Sequence, residues 1–135
     1  MCLLDAAIRW DARHILCRAR SHLDAGNPLR HAGRLGAASG IEYGLQAAAL
    51  HGALRALAAG APPPPPGWFA ALRGARLESA RLDDPAIGML RVAAWLDHAE
   101  AGGLIYRFAL RAADGRRLLA GRATIALPAR DGAVT

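Results

Sequence analysis

Residues 41 to 59, IEYGLQAAALHGALRALAA, run proline-free for nineteen positions and hold two charges, Glu42 and Arg55. Ala and Leu dominate, so the segment is a strong helix former. Gly60 follows at the place where a left-handed residue commonly ends a helix. Ser39 with Glu42 three residues later reads as a capping box. A helix apolar on nearly every side has to be buried, not laid with one face in water. The chain has 135 residues, room for one domain and little more. The remaining residues must therefore enclose this helix.

Those residues read as strands. Leu3, Leu4 and Ile8 lead into Trp10, Asp11-Ala12-Arg13 turns, and His14 to Arg20 carries Ile15, Leu16 and Cys17. After the helix, Trp68 to Leu72 and Ala75 to Leu82 flank Arg73-Gly74. Met89 to Leu96 alternates, with Leu90, Val92, Ala94 and Leu96 on one face. Leu104 to Arg111 groups Tyr106, Phe108 and Leu110, and Asp114-Gly115 carries the chemistry of a type I′ hairpin turn. Arg116 to Leu127 closes the set and Pro128 stops it. Pro62 to Pro66 must be extended, a stiff connector of roughly 15 Å. The class is α+β: a curved antiparallel sheet around one long buried helix, a single domain over residues 1–135.

Composition removes several functions. Hydrophobic residues make up 53%, too many for a disordered tail. No charge-free apolar run is long enough to span a bilayer, and the start lacks a signal-peptide pattern. Cys2 and Cys17 cannot build a disulfide framework or a zinc site, so no metal is expected. The chain reads as cytoplasmic with reduced thiols. All 17 basic residues are Arg, giving a net charge of +6. They are scattered along the sequence without a recognition motif, so nucleic acid is not the expected partner.

Residues 21 to 38 form a long loop of Ser, His, Asp, Asn, Pro and Gly, and loops of this length in compact domains are usually functional. His22 opens it. A neutral imidazole there has the chemistry of a general base, and equally of a cap or surface histidine. Glu42, in the first turn of an apolar helix, is either half of the capping box or a carboxyl whose pKa burial would raise into the range of an acid. Gln46 lies four residues on, along the same face. His51 sits on the helix as a core histidine, and His31, between Arg30 and Arg34, as a solvated one.

The run from His22 through Asn27-Pro28-Leu29-Arg30 and Gly33-Arg34-Leu35 to Gly40-Ile41-Glu42-Tyr43 and Gln46 resembles the hotdog-fold 3-hydroxyacyl-ACP dehydratases. It is most similar to the branch associated with aryl polyene clusters. The opening Met1-Cys2-Leu3-Leu4-Asp5 and the late Gly121-Arg122-Ala123 also resemble that family, so the likeness spans nearly the whole chain. The interval from His22 to Glu42 is longer than in the fatty-acid enzymes, and their second loop proline is absent near His31.

The resemblance implies a hydro-lyase that eliminates water from a β-hydroxyacyl thioester to give the trans-2-enoyl product. His22 would be the base and Glu42 the acid, with Asn27, Pro28, Gly33, Gly40 and Gln46 around the substrate. It implies no cofactor beyond the phosphopantetheine of an acyl carrier protein. That carrier is acidic and would suit Arg20, Arg30 and Arg34 near the loop. It also implies a homodimer, or a heterodimer with a related hotdog subunit, in which each site takes its His from one protomer and its acid from the other. Two rival readings are an acyl-thioester hydrolase of the same superfamily and a non-catalytic subunit of a hotdog heterodimer.

Overall fold

The computed structural model describes residues 2–62 and 68–127, with residues 68–70 described through their backbone alone. Six strands form one antiparallel sheet: β1 (Ala6–Trp10), β2 (His14–Ala19), β3 (Trp68–Leu77), β4 (Leu90–Glu100), β5 (Gly103–Arg111) and β6 (Arg117–Ala126). The strand order is β1-β2-β4-β5-β6-β3. One long helix, α1 (Gly40–Ala58), lies between β2 and β3 in sequence and packs against β2, β4, β5 and β6. The chain thus leaves the sheet after β2, crosses its inner face as α1, and rejoins at the far edge as β3.

Alternation sets the inner face. Leu90, Val92, Ala94 and Leu96 of β4 and Tyr106, Phe108 and Leu110 of β5 are buried, as are Ile15 and Cys17 of β2. Two glycines let α1 settle deep on this layer. A Cβ on Gly40 would lie 2.2 Å from Leu119 Cδ2, and one on Gly44 would lie 2.4 Å from Phe108 Cδ2.

Four local expectations are corrected. Ser39 is not an N-cap: its backbone is helical (φ −63°, ψ −19°) and its side chain makes no cap hydrogen bond. A 3-10 turn over Ala37–Ser39 runs straight into α1, so no extended residue stands at Ser39 for a capping box to use. The helix is not covered all round within one chain. Tyr43, Gly44, Ala47, Ala48 and His51 are buried, whereas Glu42 and Ala49 are exposed and Leu57 is 76% exposed. The segments either side of Arg73-Gly74 are one strand, β3, whose register slips between Arg73 and Arg76, with Gly74 at φ +59° absorbing the irregularity. The Asp114-Gly115 turn is not type I′, because only Gly115 has positive φ. Gly115 N–H donates to Ala112 and Ala112 N–H to Arg116, the pattern of a three-residue loop ending in a left-handed glycine.

The end of α1 is as expected. Ala61 N–H donates to Ala56 and Gly60 N–H to Leu57, with Gly60 at φ +67°, which is a Schellman stop. Of the proline run, Pro63 to Pro66 lie outside the described residues.

Candidate functional site

The long loop leaves β2 and turns at once through a 3-10 segment, Ser21–Leu23, which buries His22 completely. His22 Nε2 is 2.8 Å from the carbonyl oxygen of Gly88. A carbonyl only accepts, so Nε2 carries the proton and Nδ1 holds the free lone pair. That Nδ1 is buried and has no hydrogen-bond partner. Burial also pulls the imidazole pKa below its ordinary value, against the opposing pull of the Gly88 carbonyl. The result is a neutral, oriented imidazole with an unspent basic nitrogen.

His51 is the internal contrast. It is equally buried, with Nε2 2.7 Å from the Asp11 carbonyl and Nδ1 2.7 Å from the Tyr106 hydroxyl. Nε2 must donate to the carbonyl, so Nδ1 accepts from Tyr106. Both nitrogens are occupied, as a structural core histidine requires.

Gly88 was not singled out by sequence reasoning. It has φ +67° and ψ −145° and follows a 3-10 turn over Pro85–Ile87 that Asp84 caps through Ala86 N–H. Only glycine adopts that backbone without strain, and it is this conformation that presents the carbonyl to His22. An isolated Gly just before a strand was the available signal.

A hydrogen-bond chain fixes the turn that carries His22. Ser21 Oγ donates to the Leu3 carbonyl at 2.7 Å and lies 2.6 Å from Tyr43 Oη. Its single hydroxyl proton is spent on Leu3, so Tyr43 donates to Ser21. Asn27 Nδ2 donates to both Tyr43 Oη (3.0 Å) and the Ser21 carbonyl (2.9 Å), and Asn27 Oδ1 accepts from Leu29 N–H. Burial pushes the Tyr43 pKa up and keeps its proton in place. Asn27 therefore acts first as the organiser of the loop, while Pro28 beside it is exposed.

The far part of the loop is stapled by charge. Asp83, with 3% of its side chain exposed, takes a bidentate contact from Arg81 at 2.6 and 2.7 Å and one from Arg30 at 3.1 Å. The Arg81 guanidinium, with help from backbone N–H groups, holds the Asp83 carboxyl well below the usual carboxylate range. Gly33, at φ +76°, closes the tight turn beyond Arg30 and accepts from its Nη1 at 3.2 Å.

Glu42 is exposed on the uncovered side of α1. Gln46 does not stand free to orient a ligand through its carbonyl: Oε1 accepts the Leu3 N–H at 2.7 Å. Gly40 N–H is likewise already directed at the Ala37 and Ala38 carbonyls. A shallow groove of about 440 Å³ runs beside Gln46, lined by Cys2, Leu4, Asp5, Ala6, Ala49 and Leu50. Among the described residues no group of three His, Cys, Asp or Glu is placed to hold a metal ion.

A family model described as ApeP dehydratase, ApeP-like, matches residues 1–134. The chain belongs to the ApeP-like dehydratase family. A search of curated proteins finds no match. Among solved structures, the dehydratase heterocomplex ApeI:P from Xenorhabdus doucetiae aligns with a TM-score of 0.83 at 17% identity, covering 98% of this chain and 87% of that one. AziG from S. sahachiroi aligns at 0.64 and 16%, covering 93% and 91%. A hypothetical thioesterase protein from Streptococcus pneumoniae TIGR4, solved with coenzyme A, aligns at 0.64 and 12%, covering 93% and 89%. Similarity at these identities establishes the architecture, a single-domain hotdog fold. Dehydratases and thioesterases share it, so the fold by itself does not choose between them. Among the described residues no helix of this ApeP-like chain is long and apolar enough to cross a membrane.

Proposed function

We propose that the chain dehydrates 3-hydroxyacyl thioesters carried on the phosphopantetheine of an acyl carrier protein, and that it does so paired with a second hotdog subunit. The observation that carries this reading is His22: buried, its Nε2 proton fixed on Gly88, its Nδ1 lone pair unspent. Nδ1 takes the proton from the carbon next to the thioester carbonyl. The C–H electrons become the C=C bond and the β C–O bond breaks. The departing hydroxyl takes a proton from a carboxylic acid and leaves as water. A base near neutrality and an acid with a raised pKa are the two environments this needs.

The acid in this reading is Glu42, working across a subunit boundary. It sits exposed near the start of a helix that a single chain leaves partly open, with Ala49 and, towards the far end, Leu57 also exposed, so a partner can cover it. Covering would remove water from around the carboxyl. The thioester carbonyl is polarised by the backbone N–H groups of Gly33 and Gly36, since those of Arg34, Leu35 and Gly40 are already engaged. Arg20, at the start of the loop, and Arg34, within it, are exposed and suit an acidic carrier, whereas Arg30 is spent on Asp83. The family itself, and the naming of one structural relative as a heterocomplex, favour a related hotdog subunit as the partner.

The test is hydration of a crotonyl thioester by the chain alone and co-expressed with a second hotdog subunit, following loss of the enoyl chromophore and release of free thiol in parallel. Expected is hydration without thiol release, reduced about 10²–10⁴-fold by His22→Ala. Glu42→Gln should be folded and assembled but severely slowed. Thiol release would instead support the hydrolase. Full turnover by a complex containing His22→Ala would make this chain the non-catalytic half.

A further inference from the structure

The face of the sheet turned away from α1 is crowded with arginine. Strand pairing arranges the crowding in two rows. In one, Arg73 of β3, Arg122 of β6, Arg107 of β5 and Trp95 of β4 are successive cross-strand partners. In the other, Arg117 of β6, Arg111 of β5, Arg91 of β4 and Arg18 of β2 are. Arg73, Arg107, Arg111, Arg117 and Arg122 line a shallow concavity of about 500 Å³.

Two observations make this more than a consequence of an arginine-rich composition. First, the register sets arginine directly opposite arginine at 18/91, 91/111, 111/117, 107/122 and 73/122. Like charges facing across strands destabilise a sheet, so five such pairs are a standing cost to the fold. Second, the acids that answer them are few. Asp97 bonds Arg107 at 2.9 Å and Arg122 at 3.3 Å, and Glu78 bonds Arg117. Among the described residues no carboxylate pairs with Arg18, Arg73 or Arg91.

We propose that this face is a docking surface for a partner protein that presents an acidic helix. Guanidinium forks recognise carboxylates in a planar, bidentate way. Strands lie about 4.8 Å apart, close to the roughly 5–6 Å between neighbouring residues on one helix face, so an acidic stripe three or four residues in period matches a row across the strands. Each row crosses four strands and is about 14 Å long, too long for one small anion. A single-stranded nucleic acid would need a series of open aromatic rings for its bases. Trp95 is the one aromatic in these rows, and its ring is occupied by Arg107 (5.2 Å) and His14 (5.3 Å). The rows lie on the sheet face away from α1, with Arg18 and Arg91 at the end of the row nearest His22 and Gly88, and the proposal does not depend on the reaction assigned above.

The test exploits the like-charge pairs. Arg91→Glu/Arg73→Glu places each new carboxylate opposite arginines, so the double variant should melt no lower than the parent chain. Binding is read by fluorescence anisotropy of a labelled, Ala-rich helical peptide of about 20 residues, some 30 Å long, with Glu along one face. Expected is binding to the full chain that weakens with salt and falls at least about tenfold in the double variant. The charge-matched pair Arg13→Glu/Arg116→Glu, outside both rows, should bind within about twofold of the parent. Equal losses in both double variants, or no loss in Arg91→Glu/Arg73→Glu, would overturn the proposal. Tighter binding of an oligouridylate or of phosphatidylserine vesicles than of the peptide would replace the acidic helix with nucleic acid or membrane.

Discussion

Tyr43→Phe tests whether the turn carrying His22 is held by the hydrogen-bond chain that runs from Asn27 through Tyr43 and Ser21 to the Leu3 carbonyl. Tyr43 is fully buried, and its hydroxyl accepts from Asn27 at 3.0 Å and donates to Ser21 at 2.6 Å. Removing it takes away two neutral bonds, each worth about 0.5–1.5 kcal/mol net. Asn27 keeps the Ser21 carbonyl for one amide hydrogen and Ser21 keeps the Leu3 carbonyl, but the second Asn27 amide hydrogen loses its acceptor in a buried site. The expected loss is therefore about 1–3 kcal/mol, which includes the penalty of that orphaned donor. Ser21→Ala removes the middle of the same chain and should cost a similar amount. In the double variant the shared bond is counted once, so the two losses should fall short of additivity by about 1 kcal/mol. Urea unfolding of the four proteins gives these values, and the m-value guards against a change in the unfolded state. Hydration of a crotonyl thioester on the same proteins should fall with the loosening of the turn. Additive losses, or a Tyr43→Phe effect below about 0.3 kcal/mol, would show that packing and not this chain holds the turn.

Three further outcomes follow from the same geometry. Gly44→Ala should destabilise by roughly 1–2 kcal/mol, since overpacking against the Phe108 ring outweighs the better helix propensity of Ala; Phe108→Leu in the same chain should recover part of the loss, read by thermal melting. Gly88→Ala should cost about 1–3 kcal/mol of backbone strain and displace the carbonyl that orients His22, so the acid limb of the pH–rate profile should move, a change that simple loosening would not produce. Burial lowers the pKa of His22 and His51 below the ordinary 6.5, so the unfolded chain binds more protons than the folded one just below that pH. Stability is then full above about pH 6.5 and declines as pH falls from there toward the folded-state values. His22→Gln/His51→Gln should flatten that part of the curve in denaturation series between about pH 7.5 and 5.

The fold was legible because its signals are periodic. The apolar run of α1, the alternation of Leu90 to Leu96 and the Tyr106, Phe108, Leu110 face each repeat often enough to outweigh a local error. What failed was chemistry that depends on a single residue's backbone. Ser39 and Glu42 fit a capping box, yet a 3-10 turn ahead of the helix holds Ser39 in helical dihedrals. Asp114-Gly115 fits a type I′ turn, yet only one of the two residues has positive φ. In the candidate site, His22 was readable from the loop it opens and from the family motif. The orphaned Nδ1, the Gly88 carbonyl and the Ser21–Tyr43 link were not, because they join residues 66 and 22 positions apart that no spacing rule connects. The distinction between His22 and His51 was half legible: His22 read as a base or as a cap or surface histidine and His51 as a core one, and only partner geometry shows which nitrogen is unspent.

Leu3 ties these parts together. Its N–H is given to Gln46 on α1, and its carbonyl accepts from Ser21 beside His22. One residue of the N-terminal segment thus connects the helix that carries Glu42 to the turn that carries His22. Its side chain is 2% exposed and belongs to the core cluster, so the connection is both packed and hydrogen-bonded. This gives Gln46 a role unlike the substrate contact implied by the family motif: it positions the segment on which Ser21 leans. Gln46→Glu retains a carboxylate acceptor for the Leu3 N–H and should leave His22 in place. Gln46→Leu removes the acceptor, leaves a part-buried N–H unpaired at about 1–3 kcal/mol, and should lower kcat through the turn while leaving KM nearly unchanged. A rise in KM alone, equal in both variants, would return Gln46 to direct contact with the substrate.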